Sequence, residues 1–275
     1  MVALACSCLC GGVLGAIDLR LPYVMALLAA IVAIVQCVKF MEPPLEGDEK
    51  PKEFVGQMKD TLGYFVHPML AWILGFFIVG YSLEHIPYEF YQPYLKLVGQ
   101  SAMTGWLATG SAPIVSGVVI SISMFGGALG AALSQRLIEN VGLRALLLAS
   151  ISMQVLIVAG LSIVLHPIML VLVMFRNFSM SMARGPMLGA IAPHVSSAQR
   201  ATFLSVLSLA GRAAFSVVLA MLSVLVVGKE ALNWTSLSQV LALSAVVGMG
   251  ALILLYIWSR RVVREFEKAG SAIRE

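Results

Sequence analysis

The sequence predicts an all-α polytopic membrane protein, and three observations support that fold class. Hydrophobic residues make up 60% of the 275 residues, charged residues only 12%, and the mean hydropathy is +0.93. A water-soluble domain would carry about 25% charged residues, so a soluble enzyme with a polar surface is disfavoured. The apolar residues form long runs, and a membrane-spanning helix needs about 20 such residues. The net charge of +4 is small and dispersed, which argues against nucleic-acid binding.

Eight apolar runs follow one another, and each is too long for a strand of a membrane barrel. Polar or turn-forming segments separate them, with long breaks at residues 42–60 and 84–107 and a shorter one at 134–142. We therefore expect eight membrane-spanning helices. The runs are residues 1–17, 22–40, 62–83, 108–133, 143–165, 167–192, 201–227 and 236–258.

The lysines and arginines between the runs are unevenly distributed. Alternate connections and the carboxyl-terminal tail hold most of them, whereas the intervening connections hold at most one each. The positive-inside rule then places both termini in the cytoplasm, in an inner or plasma membrane. The tail, residues 260–275, contains RRVVREFEK. It is interpreted either as an amphipathic segment on the inner leaflet or as a basic flank that fixes orientation.

The fourth break gives the first family resemblance. Its sequence GGALGAALSQRLIENVGLR places Gly130, Arg136, Gly142 and Arg144 in a pattern that resembles the loop signature of the major facilitator superfamily, with Ser134 where that signature has an acidic residue. Three more passages are similar to members of the superfamily: DLRLPY with the following MEPP, YQPYLKLVG, and APHVSSAQRATFLSVLSLAGR. Together they cover most of the chain in the expected order.

The resemblance implies helices five to twelve of a twelve-helix transporter. Residues 1–41 would be the last two helices of an incomplete amino-terminal bundle, residues 42–60 a cytoplasmic linker, and residues 61–259 a complete carboxyl-terminal six-helix bundle. The short first run suggests a chain cut from a larger one. The implied function is secondary active transport of a small molecule by alternating access, coupled to protons by symport or antiport. The alternative is a transport-incompetent fragment, or a half-unit of a split transporter.

The partners expected are a small-molecule substrate, the lipid bilayer, a coupling proton, and a chain that supplies the missing amino-terminal helices. No cofactor, metal or nucleic acid is expected. Enzymatic activity is not expected either, because no nucleophilic, acid–base or metal-ligand cluster converges in the sequence. There is also no Gly-rich phosphate loop for direct ATP hydrolysis.

Polar side chains within apolar runs are the first candidate site residues, because they are costly at membrane depth. Arg176 and Asn177 lie in the sixth run, where they are interpreted either as substrate ligands or as a hydrogen-bonded tether between helices. Arg212 lies within the next run and is expected to brace helices or a gate. The family signatures add further gate or structural candidates: Gly130, Arg136, Arg144 and Arg200.

The segment from Glu84 to Tyr94 is the most varied chemically. The resemblance implies a long helix that continues through its two prolines and lines the central cavity. Tyr88, Tyr91 and Gln92 would then bind substrate, and Glu84 or Glu89 would carry the coupling proton. The alternative is a solvated outer loop with interfacial aromatic side chains.

Overall fold

Nine α-helices and two short 3-10 turns make up the part of the chain that the structure describes. The structure is a computed structural model, and it describes residues 2–40, 54–100, 112–224, 233–262 and 266–267. Those residues contain no strand, and the predicted fold class, an all-α polytopic membrane protein, is confirmed. The helices are α1 (Val2–Ile17), α2 (Leu21–Lys39), α3 (Phe54–Gly63), α4 (Pro68–Gln100), α5 (Ala112–Val141), α6 (Leu143–Ile163), α7 (Leu170–Ile191), α8 (Ser197–Val224) and α9 (Trp234–Arg261).

Within the described residues, each of the eight apolar runs is mainly helical, but only six of the described helices are both long and apolar enough to cross a membrane. These are α2, α4, α5, α6, α8 and α9. Helix α1 has 16 residues, which at about 1.5 Å per residue is shorter than the hydrocarbon core of about 30 Å. Helix α7 has 22 residues, but Arg176, Asn177 and Arg184 reduce its hydropathy. Six helices therefore satisfy both criteria, two fewer than the eight spans that were expected.

The break expected at residues 84–107 is wrong over its first part, because α4 continues to Gln100 with Pro87 and Pro93 inside it. A proline removes one backbone donor and disfavours a helix interior. Here tertiary packing outweighs that cost, since Ile86, Tyr91 and Leu95 are buried on both sides of the prolines. The long helix implied by the family resemblance is the better description of this segment.

The break expected at residues 134–142 is also shorter than predicted. Helix α5 runs to Val141, and Gly142 alone separates it from α6. Gly142 has a φ of 81°, in the left-handed region that glycine adopts without steric cost. Gly130 and Arg136 are therefore helical residues of α5, and Arg144 lies in the first turn of α6.

The core forms around α4, which packs against α6, α7, α8 and α9, while α5 packs against α7 and α1. The Trp72 Nε1 donates a hydrogen bond to the Leu255 carbonyl of α9 at 2.9 Å. Beyond the end of α9, Phe266 packs edge-on against the same Trp72 ring, with 4.8 Å between ring centroids. The start of the tail thus contacts the bundle.

The two amino-terminal helices are attached unequally. Helix α1 crosses α5 closely, because a Cβ at Gly12 would lie 2.8 Å from the Pro113 carbonyl oxygen, and Ser121 donates to the Ala5 carbonyl at 2.9 Å. Helix α2 contacts α1 but has no buried residue. The predicted linker at 42–60 and tail at 260–275 lie largely outside the described residues, and the domain division stays a prediction.

Candidate functional site

A cavity of about 600 Å³ lies between α1, α4, α5, α7 and α8. Its walls combine aromatic rings and methionines with a group of charged and polar side chains. The polar lining residues are Tyr81, Glu84, His85, Tyr88, Arg176, Asn177, Ser181, Arg184, Ser208 and Arg212. The structure therefore brings together five of the residues singled out from sequence: Glu84, Tyr88, Arg176, Asn177 and Arg212.

Arg176 is the central cation of this cavity and is only 5% exposed. Its Nη1 donates to the backbone carbonyl of Glu84 at 3.3 Å, and its guanidinium lies 4.8 Å from the centroid of the Tyr88 ring. The Nε has no hydrogen-bond partner within the described part of the chain. The Nε itself is buried, and a buried donor without a partner is costly.

The backbone of Arg176 is fixed from the opposite side. Gln154 of α6 is fully buried, and its Nε2 donates to the Arg176 carbonyl at 2.8 Å and to the Ser179 hydroxyl at 2.6 Å. The Ser179 hydroxyl also donates to the Arg176 carbonyl at 3.1 Å. These bonds hold α7 against α6 at the level of the cavity. They thereby restrict the position of the Arg176 backbone.

Positive charge exceeds negative charge among the lining residues. Arg176, Arg184 and Arg212 contribute three guanidinium groups, whereas Glu84 contributes one carboxylate. The Glu84 carboxylate interacts electrostatically with Arg176 and Arg184. Arg184 and Arg212 are exposed, whereas Arg176 is buried.

An aromatic group on α4 covers another part of the wall. The Tyr81 and His85 rings stack with 3.9 Å between centroids, and the His85 Nδ1 lies 2.9 Å from the Tyr81 carbonyl. Phe215 of α8 packs against both rings. On the α7 side, Asn177 is 5% exposed, and its Nδ2 donates to the Met124 sulfur at 3.5 Å.

Three of the other predicted residues of α4 lie away from the cavity. Tyr91 is buried beside a void of about 10 Å³ between α4, α6, α7 and α9, which is space for about one water at most. Gln92 donates to the Ser116 hydroxyl of α5 at 3.1 Å and lines a separate groove between α1, α2 and α5. Glu89 is exposed and does not line the cavity.

The predicted gate and structural residues lie outside the cavity, with the exception of Arg212. Gly130 lets α5 approach the backbone of α7, because an added Cβ would overlap the Phe178 carbonyl. The Arg144 Nε donates to the Ser259 hydroxyl at 2.9 Å and joins α6 to α9. The Arg200 Nη2 donates to the Ala192 carbonyl at 3.1 Å, which joins the start of α8 to the end of α7. Arg136 is exposed on α5.

The sequence reading did not single out several residues that build the site. Gln154 was detectable in principle, because it is a lone amide inside the apolar run of α6. The apolar lining residues gave no such signal, since they are indistinguishable in sequence from core or lipid-facing positions. They are Leu4, Cys8, Phe76, Phe77, Ile120, Met124, Met180 and Met187.

The described residues contain no group of three or more His, Cys, Asp or Glu side chains that could hold a metal ion. The four cysteines, Cys6, Cys8, Cys10 and Cys37, are unpaired thiols. The side chains that line the cavity offer charge, hydrogen bonding and aromatic contact.

Comparison with known proteins gives one structural similarity to report. The chain is similar to a bacterial homologue of the human lysosomal transporter Spinster, solved in an inward-facing and unoccupied conformation. The two are 18% identical, the alignment covers 87% of this chain and 57% of that protein, and the TM-score is 0.48. No protein-family model and no curated protein matches the chain. This chain thus spans little more than half the length of the protein that it resembles in structure.

Proposed function

We propose that this chain is the larger part of a secondary active transporter of the major facilitator superfamily, and that its cavity binds a small-molecule substrate. The observation that carries the proposal is Arg176, a buried cation that lines a cavity of about 600 Å³. Ionisable residues at membrane depth are costly and are usually retained for function. The loop and helix signatures around Gly130 and Arg200 support membership of the superfamily.

Proton coupling is assigned to Glu84 in preference to Glu89. Glu84 lines the cavity and interacts with Arg176 and Arg184, whereas Glu89 is exposed outside it. A proton on Glu84 would leave both arginines free to attract another anion, and loss of the proton would restore their counter-charge. Substrate binding and protonation would in this way be linked at one site.

The proposed orientation has both termini in the cytoplasm of an inner or plasma membrane. It rests on the clustering of lysine and arginine in alternate connections. In this arrangement α4, α5, α7 and α8 form the carboxyl-terminal side of a central cavity, and α1 contributes Leu4 and Cys8 from the amino-terminal side. Alternating access requires two bundles that rock around such a shared site.

The exposed state of α2 favours a second candidate, a half-unit that works only with further amino-terminal helices. Helix α2 has no buried residue, and α1 buries only Ala5 and Gly12. The two candidates are distinguished by the DNA immediately upstream of the first codon. In-frame codons for four more hydrophobic helices would support a transporter that extends upstream, and a frame-shifted version would support a split or decayed unit.

The transport proposal is tested in proteoliposomes that contain the purified chain, alone and with any upstream helices supplied. Uptake of labelled drugs, sugars and organic acids is measured with and without an imposed pH gradient. We expect saturable uptake of at least one compound, loss of that uptake when a protonophore collapses the gradient, and loss in Arg176→Gln. Arg261→Gln, an exposed arginine at the end of α9, serves as the control. Absence of uptake for the whole panel would contradict the proposal.

A further inference from the structure

We infer that the ligand of the central cavity is an organic anion with an apolar or aromatic portion. The inference rests on the proposed function, because it assigns a chemical class to the ligand of the same cavity. It is carried by three features: the balance of charge, the geometry of the Arg176 guanidinium, and the composition of the remaining wall.

The balance of charge selects the sign of the ligand. Arg176, Arg184 and Arg212 line the cavity together with a single carboxylate, Glu84. Since Glu84 already interacts with Arg176 and Arg184, it is not an isolated negative charge that awaits a cation. A cationic ligand would enter against the excess positive charge, and a neutral ligand would leave that excess unbalanced. An anion compensates it.

The guanidinium of Arg176 is presented in a way that suits a carboxylate or a similar oxyanion. It is 5% exposed, lies 4.8 Å from the centroid of the Tyr88 ring, and bonds through Nη1 to the Glu84 carbonyl. The Nε donor has no partner among the described residues. Arginine offers a planar set of donors that matches the paired oxygens of a carboxylate or phosphate. The ligand oxyanion is therefore assigned to the Arg176 guanidinium, which lines the cavity.

The rest of the wall is suited to the apolar part of the ligand. Phe76 and Phe77 of α4, Met124 of α5, and Met180 and Met187 of α7 line the cavity. Methionine side chains are flexible and polarisable, and they adapt to apolar groups of different shape. The volume of about 600 Å³ lies within the range of about 300–1,000 Å³ that is typical for small-molecule sites.

The direct test is equilibrium binding to the purified full chain in lipid nanodiscs, with three probes of matched shape. Labelled naphthoate is the anion, naphthamide is its neutral counterpart, and naphthylmethylamine is the cation at pH 7. We expect naphthoate to bind at least about tenfold more tightly than either of the others, and this preference to fall as salt is added. Equal affinities, tighter binding of the cation, or no saturable binding of any probe would overturn the inference.

Variants locate the binding in the cavity. Arg176→Gln is expected to lose the preference for naphthoate over naphthamide while it still binds naphthamide. Arg176→Lys keeps the charge but lacks the planar donor set, and is expected to keep only part of the preference. Arg261→Gln removes an exposed cation outside the cavity and should retain the full preference. An undiminished preference in Arg176→Gln would overturn the assignment.

Arg184→Gln provides an independent variant if the buried Arg176 substitutions fail to fold. Arg184 lines the same cavity but is exposed, so its replacement should leave folding intact and reduce the preference for naphthoate by about twofold or more. All of these experiments measure binding, whereas the proteoliposome experiment measures transport. The anion assignment and the transport proposal can therefore fail separately. Charge-selective binding without uptake in proteoliposomes would contradict transport alone, and uptake of only neutral or cationic compounds would contradict the anion assignment alone.

Discussion

The Arg176 guanidinium of α7 lies over the Tyr88 ring of α4, 4.8 Å from its centroid. The two residues are 88 positions apart in the sequence, and the contact joins the two helices that contribute most of the polar cavity wall. Tyr88 is 46% exposed, whereas Arg176 is only 5% exposed, so the partly exposed ring covers part of a buried cation. The contact therefore helps to position the guanidinium, and it uses none of the N–H donors of Arg176.

Replacement of Tyr88 should weaken anion binding if the aromatic ring is removed, and should have little effect if the ring is kept. An exposed cation–π contact is worth about 0.5–1 kcal/mol, so Tyr88→Leu should reduce naphthoate affinity about two- to fivefold. Tyr88→Phe keeps the ring and should stay within about twofold of the unmodified chain. Equilibrium binding measures both. Equal losses in the two variants would show that the hydroxyl, and not the ring, matters.

Gly130→Ala should destabilise the protein, because the added Cβ would overlap the Phe178 carbonyl at the crossing of α5 and α7. Overpacking of this kind costs about 1–3 kcal/mol. Gly250→Ala is the matched control, since no atom lies within 4 Å of the Cβ that it would add to α9. That control should be neutral or stabilising by up to about 1 kcal/mol. Thermal unfolding in one detergent compares the two, and similar midpoints would argue against the close crossing.

Gln154→Leu should destabilise the contact between α6 and α7. It removes the hydrogen bonds from Nε2 to the Arg176 carbonyl and the Ser179 hydroxyl, and hydrogen bonds between membrane helices contribute about 0.6–2 kcal/mol. The exposed Gln239→Leu on α9 should change stability by less than about 0.5 kcal/mol. Combining Gln154→Leu with Ser179→Ala should cost less than the sum of the single changes. Strict additivity would contradict a shared network.

Glu84→Gln and Glu89→Gln form a matched pair that tests proton coupling. Glu84 lines the cavity and interacts with two arginines, whereas Glu89 is exposed outside it. Glu84→Gln should abolish substrate accumulation driven by a pH gradient and retain exchange of labelled for unlabelled substrate. Glu89→Gln should retain both activities. The opposite pattern would transfer the coupling role to Glu89.

The sequence predicted most of the helices, because apolar runs of this length have few other structures available. It misplaced the ends of α4 and α5, where tertiary packing overrides local signals: Pro87 is helical because the residues around it are buried. Arg176 was detectable because a cation stands out in an apolar run. Phe76 and Leu4 were not, since the direction that an apolar side chain faces depends on neighbours distant in sequence.

Tyr91 also lies at a position that local sequence signals do not determine. It lies seven residues beyond Glu84 on the same helix, so periodicity alone would put both on one face. The additional rise of about 10 Å carries Tyr91 past the cavity to a level where α6 and α9 close around it. The packing of the whole bundle determines which turn of a long helix borders a cavity. A short sequence motif does not contain that information.

Alternating access is tested most directly by asking whether the cavity can be reached from each side of the membrane in turn. Ser208→Cys places a thiol in the cavity wall on α8, in a chain whose four native cysteines are replaced by alanine. A membrane-impermeant thiol reagent is applied to cells, and separately to inside-out vesicles. A transporter predicts labelling from both sides, with a saturating ligand changing the two rates in opposite directions. Ser197→Cys, exposed at the start of the same helix, should react from the cytoplasmic side alone. Labelling of Ser208→Cys from one side only, with ligand or without it, would contradict alternating access.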